Sequence, residues 1–254
     1  MATVLPIFDA HFHVIDPRFP LVANQGYLPP AYTVDDYRGQ AGPLGIAGGA
    51  VVSGSFQAFD QDYLIDALAA LGPAYVGVTQ LPRTVSDETI RDLAGRGVRA
   101  LRFNLHRGGS EDIDVLEEMA HRVHDLAGWH IEVYADAAML APLAPRLAAL
   151  PRVVIDHLGL SEAGQPALLG LVGGGAYVKA TGFGRVALDV PAALRAISAA
   201  NPAALMFGTD LPSTRARRPF AASDIDLIRD TLGDSLARRV LHDNAAVLYR
   251  PRGQ

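Results

Sequence analysis

The stretch Ile7-Phe8-Asp9-Ala10-His11-Phe12-His13-Val14 is the first of eight short apolar segments with strand character, and their repetition decides the fold. In an extended chain side chains alternate between faces, so the imidazoles of His11 and His13 point the same way. Two imidazoles at one strand end suit a metal ion or a polarised water. A pair of hydrogen-bonded or solvent-facing histidines is the plainer interpretation, because a buried ring needs a partner for its N–H or lone pair.

The remaining strand-like segments are bounded by Gly, Pro or polar residues and rich in β-branched or aromatic side chains. With the first, at 8–14, they lie at 49–54, 74–80, 98–104, 130–136, 152–157, 176–181 and 205–208. Helix-like stretches alternate with them, at 61–71, 87–94, 112–127, 139–150, 191–199, 224–232 and 235–248. Alternation with short connections predicts a parallel sheet. Eight units in 254 residues predict an α/β protein with a closed (β/α)8 TIM-type barrel, as a single domain over residues 1–254.

Composition excludes several classes of protein. Half of the residues are hydrophobic, which is enough for a large core and argues against disorder. Cysteine is absent, so disulfides, thiolate nucleophiles and Cys-ligated zinc are excluded, and any metal must use His and carboxylates. A net charge of -5 with scattered Lys and Arg predicts no nucleic-acid partner. No apolar run reaches about 18 residues and no signal peptide is recognisable, so we expect a cytoplasmic protein without a membrane partner.

Polar residues collect where the predicted strands end. In a parallel barrel this rim carries the active site. The candidate catalytic residues, which are also the candidate ligands of one metal ion, are His11, His13, His157 and Asp210. The candidate substrate-binding residues are Tyr27, Ser53, Ser55, Arg102, Arg107, Tyr134 and Arg185. Tyr27 belongs to a long segment at 16–43, rich in Pro and Gly, which we interpret as a wall of the site.

Several motifs occur in order and at the expected strands: Phe8-Asp9-Ala10-His11-Phe12-His13, Val98-Arg99-Ala100-Leu101-Arg102-Phe103-Asn104, Asp156-His157-Leu158-Gly159, Gly208-Thr209-Asp210 and Asp243-Asn244-Ala245-Ala246-Val247-Leu248-Tyr249. Together they resemble the amidohydrolase superfamily, in the amidohydrolase-2 branch related to 2-pyrone-4,6-dicarboxylate lactonase and to sugar lactonases. The resemblance covers nearly the whole chain. It implies a TIM-type barrel and a hydrolase that opens a lactone or a similar carboxylic ester.

The resemblance also implies roles for individual residues. It places the first-strand histidine pair at His11 and His13, the sixth-strand histidine at His157 and the eighth-strand acid at Asp210. Metal-rich members of the superfamily use a fourth-strand lysine or glutamate and a fifth-strand histidine. This chain has arginines and Tyr134 there, so a binuclear centre is not expected. Because the lactonase branch includes members that work without metal, we expect either no cofactor or one divalent ion, such as zinc.

The hypothesis is that Asp210 removes a proton from a water that attacks the carbonyl carbon of the lactone. The three histidines would stabilise the oxyanion, as imidazolium donors or through a bound cation. The three arginines would clamp substrate carboxylates, since planar guanidinium groups bind them through paired hydrogen bonds. Hydroxyl groups would orient the substrate. Lys179 is expected to balance a core acid, Glu132 or Asp156.

Two other functions remain open at this point. Related barrels carry out non-oxidative decarboxylation with one divalent metal, and the barrel can also persist as a non-catalytic binding protein. Among lactones, the residues do not choose between pyrone dicarboxylate, muconolactone and aldonolactone substrates, nor do they indicate an oligomeric state.

Overall fold

Eight parallel strands alternate with helices in the computed structural model, which describes residues 6–252. The strands are β1 (Ile7–Phe12), β2 (Ile46–Val52), β3 (Tyr75–Thr79), β4 (Val98–Asn104), β5 (His130–Tyr134), β6 (Val153–Ile155), β7 (Tyr177–Ala180) and β8 (Leu205–Phe207). They form one sheet in the order β1 to β8, each strand parallel to the next. This is the predicted (β/α)8 barrel. The predicted domain limits, residues 1 and 254, lie outside the described residues.

The helices are α1 (Val34–Ala41), α2 (Asp62–Leu71), α3 (Asp87–Gly95), α4 (Leu116–Ala127), α5 (Ala137–Ala148), α6 (Gln165–Gly173), α7 (Val190–Ala200), α8 (Ser223–Arg238) and α9 (Asn244–Tyr249). A π-helical turn at Arg239–Asp243 separates α8 from α9, so the predicted continuous helix at 235–248 is interrupted. No helix within residues 6–252 combines the length and the apolar character that crossing a membrane requires.

Two helices were not predicted. The first, α1, lies inside the long segment at 16–43, where Thr33 and Asp36 form a capping box. Its charged, polar sequence lacks the apolar periodicity that identifies a helix. The second, α6, is bounded by glycines that obscure it in the sequence. In both cases packing against the barrel supplies the stability that local propensity does not indicate.

The seam between β8 and β1 closes the barrel and positions the site. The backbone N–H of Asp210 donates to the carbonyl of His11 at 2.7 Å. The carboxylate of Asp9 accepts the backbone N–H of Thr209 at 2.8 Å and its hydroxyl at 2.7 Å. Hydrogen bonds from both backbone and side-chain atoms thus join β1 to the segment that follows β8. This seam places the eighth-strand acid beside the histidines of the first strand.

The barrel interior has an apolar lower half and a charged upper half. Phe8, Val52 and Met206 belong to a buried cluster that also contains Leu248 and Tyr249, so α9 plugs the lower end. The ring of Tyr249 stacks on Phe8 with centroids 5.7 Å apart. With that end filled by packed side chains, the upper mouth carries the polar residues.

Candidate active site

A pocket opens at the carboxyl ends of the strands and encloses about 410 Å³ of free space, part of it open to solvent. Nine of the predicted site residues line it: His13, Tyr27, Ser55, Arg102, Arg107, Tyr134, His157, Arg185 and Asp210. His11 lies beneath this surface and is fully buried. Residues that were far apart in sequence therefore meet at one mouth of the barrel.

The imidazoles and the carboxylate converge closely. Nε2 of His11 lies 3.8 Å from Oδ1 of Asp210, and Nε2 of His13 lies 3.9 Å from the same oxygen. The ring centroids of His11 and His157 are 4.8 Å apart. Within the described chain, neither His11 Nε2 nor Asp210 Oδ1 has a hydrogen-bond partner. Buried polar atoms normally have hydrogen-bond partners, so these two atoms are available to a water, an ion or a substrate.

Burial keeps the three histidines neutral. It lowers the pKa of His13 to about 3, with a further lowering from the Arg102 guanidinium. It likewise holds the pKa values of His11 and His157 well below their usual range. Desolvation disfavours the charged form of an imidazole, which explains the direction. Stabilisation of the oxyanion by imidazolium is therefore disfavoured. Each neutral ring instead has one N–H donor and one acceptor nitrogen.

The turns after β6 and β8 aim two of these groups. His157 and Asp210 both adopt left-handed backbone conformations, with φ of 51° and 61°. Such conformations are uncommon outside glycine and persist where the surrounding structure enforces them. The strand that was predicted to continue to residue 157 accordingly ends at Ile155. Strain of this kind is concentrated at functional sites.

Asp210 combines a held oxygen with a free one. Arg185 donates from Nε to Oδ2 at 2.9 Å and also from Nη2. Burial raises the pKa of Asp210, while the ion pair with Arg185 opposes that rise. The free Oδ1 faces the two imidazoles. A carboxylate with one anchored oxygen and a raised pKa suits a general base.

Two expectations about substrate contacts change with the structure. The hydroxyl of Ser53 shares a hydrogen bond with Tyr63 at 2.5 Å, and Ser53 does not line the pocket. Its predicted contact with substrate is therefore not carried further. Arg102 lines the pocket, but its Nε and Nη2 donate to Oδ2 of Asp156 at 3.0 and 2.8 Å. Its unexpected partner, Asp156, follows β6, which is separated from β4 only by β5 in the barrel.

A fourth pocket arginine, Arg215, was missed. Its guanidinium lies 4.4 Å from the ring centroid of Tyr27 and donates to Asn24. The arginine-rich run after Asp210 is the sequence signal that could have indicated it. Arg107 lines the same region, and among the described residues its guanidinium makes no hydrogen bond. Two of the pocket arginines are therefore paired with buried acids, whereas the other two are not.

Beneath the pocket lies a buried charge network. Nζ of Lys179 contacts the carboxylate of Glu132 and lies 3.6 Å from Oδ1 of Asp156. This confirms that Lys179 balances core acids. Burial alone would raise the pKa of Glu132, but Lys179 and His130 lower it below its usual range. The hydroxyl of Tyr249 donates to Glu132 at 2.5 Å.

The donor set also fits a single divalent ion. His11, His157 and Asp210 each offer one ligand atom, and these atoms lie within 4.8 Å of one another. Neutral imidazole and carboxylate are common ligands of zinc. The unpartnered His11 Nε2 and Asp210 Oδ1 supply the structural observation behind this fit.

Comparison with known proteins gives several similar sequences and structures. A 2-pyrone-4,6-dicarboxylate hydrolase of Comamonas testosteroni is 33% identical over 156 residues, which is 59% of this chain and about half, 51%, of that protein. A 4-sulfomuconolactone hydrolase of Rhizobium radiobacter is 28% identical across 95% of this chain and 89% of that protein. A solved structure from Pseudomonas putida, described as a candidate 2-pyrone-4,6-dicarboxylic acid hydrolase, shares 27% identity. Its TM-score is 0.81, and 97% of this chain and 98% of that chain are covered.

The match to a family model is more extensive than the match to the Comamonas protein. The model described as amidohydrolase matches residues 8–250, which run from the second residue of β1 to beyond α9 and include the four converging residues His11, His13, His157 and Asp210. The chain belongs to the amidohydrolase family.

Proposed function

We propose that this chain is a lactonase, which hydrolyses a cyclic carboxylic ester carrying at least one anionic group. Candidates are 2-pyrone-4,6-dicarboxylate, a muconolactone or an aldonolactone with a carboxylate. The observation that carries the proposal is the free Oδ1 of Asp210, which faces two neutral imidazoles in a pocket with four guanidinium groups. The names of the relatives, which are hydrolases of anionic lactones, support it.

Substrate binding is assigned first to the two pocket arginines that have no carboxylate partner within residues 6–252. Arg107 and Arg215 lie at the pocket and leave N–H donors for an anion of the substrate. Tyr27, stacked under Arg215, and Tyr134 complete the polar wall. The guanidinium groups of Arg102 and Arg185 add positive charge while remaining bound to acids of the chain. This division favours a substrate whose anionic group lies towards solvent and whose ester lies towards Asp210.

The chemical step uses Asp210 as the base and then as the acid. Its Oδ1 takes one proton from water while the water oxygen bonds to the lactone carbonyl carbon. The tetrahedral species then breaks its ring C–O bond, and the same carboxyl returns the proton to the departing oxygen. The product is an open-chain hydroxy acid, or its keto tautomer where the ring oxygen was enolic. General base catalysis requires a base within about 3 Å of the water oxygen, and a water hydrogen-bonded to Oδ1 of Asp210 meets this requirement.

The lone pair of His13 orients the attacking water. Nδ1 of His13 lies 2.7 Å from the carbonyl of Val52, which can only accept, so Nδ1 carries the proton and Nε2 is an acceptor. A water between this Nε2 and Asp210 can donate one hydrogen to each. A divalent ion, when bound through His11, His157 and Asp210, would supply polarisation of the carbonyl oxygen.

A panel of lactones tests the proposal, with matched anionic and neutral members, on protein treated with chelator and on protein supplied with zinc. Hydrolysis is followed as acid release at constant pH. We expect anionic lactones to be opened and Asp210→Asn to lower kcat about 10²–10⁴-fold. Asp125→Asn, an exposed acid on α4, is the matched control and should leave kcat unchanged.

Three outcomes would contradict the proposal. Retention of most activity by Asp210→Asn would remove the assigned base. Release of CO2 from an aromatic acid by the zinc-supplied protein, without lactone opening, would establish the decarboxylase. Inertness across the panel together with tight binding of an anionic ligand would establish a binding protein.

A further inference from the structure

We propose that Lys179 is a positioning residue that holds His11 in the tautomer with its proton on Nε2, directed at the catalytic carboxylate. In this arrangement His11 directs an N–H donor towards Asp210, whereas His13 directs an acceptor lone pair. The catalytic consequence rests on the proposed function, whereas the tautomer itself follows from contacts within the chain. Nothing in the spacing of the two histidines distinguishes them in this way.

The contact that carries the inference joins β7 to β1. Nζ of Lys179 lies 3.2 Å from Nδ1 of His11, and both side chains are fully buried. An ammonium group has three N–H donors and no acceptor. A hydrogen bond at this distance therefore requires a lone pair on Nδ1, so the single proton of the neutral ring is on Nε2.

The neighbouring acid does not reverse this assignment. Oδ1 of Asp156 lies 3.5 Å from Nδ1 of His11, farther than Nζ of Lys179. A proton on Nδ1 would also face the N–H groups of the ammonium. The network contains two cations, Lys179 and Arg102, and two carboxylates, Glu132 and Asp156. Its charge is balanced with a neutral His11, so an imidazolium is not needed, and the shorter contact of Nδ1 with the ammonium than with Asp156 then assigns the tautomer.

The opposite side of His11 faces the reaction site. Its Nε2 lies 3.8 Å from Oδ1 of Asp210, a separation that a small shift converts into a hydrogen bond. Catalytic hydrogen bonds are often long in the free protein and shorten when the substrate binds. A proton on Nε2 makes His11 a donor to Oδ1, complementing Arg185 on Oδ2. The base is then oriented from both sides.

His13 has the other tautomer. Its Nδ1–H donates to the carbonyl of Val52, so its Nε2 is an acceptor, 3.9 Å from Oδ1 of Asp210. One histidine of the pair thus donates towards the carboxylate, while the other leaves a lone pair for water. The two rings are nearly perpendicular, at 89°, with centroids 5.1 Å apart.

The tautomer of His11 controls whether its Nε2 can bind a metal ion. A nitrogen that carries a proton has no lone pair for an ion, so His11 can ligate only after its proton moves to Nδ1. The ammonium of Lys179 opposes that move. Lys179 therefore weakens binding of a divalent ion at His11, His157 and Asp210, and removing it should strengthen such binding.

The first test is nitrogen-15 NMR of the imidazoles in the chelator-treated full chain, without substrate. The His11 signals are assigned by their loss in His11→Asn. We expect Nε2 of His11 and Nδ1 of His13 to show the shifts and couplings of protonated ring nitrogens. A protonated Nδ1 on His11 would overturn the proposal. This result does not depend on lactone hydrolysis, so it is separate from the fate of the proposed function.

The second test changes the ion pair as a unit, because Lys179→Met alone leaves Glu132 buried without its cation. In Lys179→Met/Glu132→Gln both charges are removed together. We expect the proton of His11 to move to Nδ1 and zinc chloride, measured by titration calorimetry, to bind about 10–100-fold more tightly. Tyr249→Phe is the matched control, since it removes a hydrogen bond to Glu132 but keeps the contact of Lys179 with His11. Unchanged zinc affinity and an unchanged tautomer in the double variant would refute the role of Lys179.

Discussion

Replacing Arg185 by Met removes the cation that holds Oδ2 of Asp210 and should move the acid limb of the pH–rate profile to higher pH. The base works only when it is deprotonated, so activity is lost as pH falls through the pKa of Asp210. Burial already raises this pKa, and the ion pair with Arg185 is the largest influence that opposes the rise. Without the guanidinium, protonation becomes easier.

The size of the shift is set by the interaction between the two charges, whose centres are farther apart than the contacting N and O atoms. Two unit charges about 4 Å apart interact by about 4 kcal/mol at an effective dielectric constant of about 20. At about 1.36 kcal/mol per pKa unit this sets an upper limit of about 3 units. Arg185 is partly solvated, and Arg102 remains to lower the pKa of Asp210. We therefore expect a shift of about 1–3 units.

The assay is kcat against pH at saturating lactone, so that weaker substrate binding does not contribute. Arg185→Lys keeps a cation beside Asp210 and should recover most of the shift. Arg107→Met is the matched control, because it removes a guanidinium from the same pocket that makes no hydrogen bond to Asp210. An acid limb that stays in place in Arg185→Met, or moves equally in Arg107→Met, would refute the reasoning.

Three further variants test other parts of the structure. Gly182→Ala should lower kcat about tenfold or more, since the added Cβ would lie 2.7 Å from Nδ1 of His157 at a backbone φ of 63°; turnover at saturating lactone measures the loss. Asp9→Asn should alter the pH dependence of stability. Burial raises the pKa of Asp9 from 3.8 to about 6, so the folded state holds this proton more tightly. Its contribution to the free energy of unfolding therefore falls by about 3 kcal/mol in all as pH rises from well below 3.8 to above 6, and about 2 kcal/mol of that fall lies between pH 4 and pH 7. Denaturant unfolding of both proteins at pH 4 and pH 7 measures the difference. Arg102→Met should cost about 3–5 kcal/mol in urea unfolding, because it removes both N–H donors from Oδ2 of the buried Asp156 carboxylate.

Each of these has a control. Gly170→Ala in α6 adds a Cβ that meets no atom within 4 Å apart from the adjoining backbone of its own helix, so kcat should not fall and stability should rise by about 0.5–1 kcal/mol. Normal kcat in Gly182→Ala would show that the close approach to His157 is unimportant. A constant stability difference between wild type and Asp9→Asn from pH 4 to pH 7 would contradict the assigned shift. Arg102→Met/Asp156→Leu should recover stability relative to Arg102→Met. If it does not, the unpaired Asp156 carboxylate is not the cause of the loss of stability.

The architecture and the position of the site could be read from the sequence. Apolar strands and amphipathic helices are local patterns, so their eightfold alternation predicts the barrel without knowledge of any contact. The same logic places strand-end residues on one rim, and this is where His13, His157 and Asp210 are found. The helix α1 escaped because its stability comes from a cap and from packing rather than from a periodic apolar face.

Pairing between distant side chains was decided by the tertiary structure. Arg102 and Asp156 are 54 residues apart, and Lys179 and His11 are 168 apart. Whether such groups meet depends on strand register, on the left-handed turn at His157 and on the seam through Asp9, none of which is a local pattern. Ionisable side chains are present in the sequence whatever their partners. Only the closed barrel determines which arginine is bound to an acid, which remains for a substrate, and which nitrogen of each histidine holds the proton.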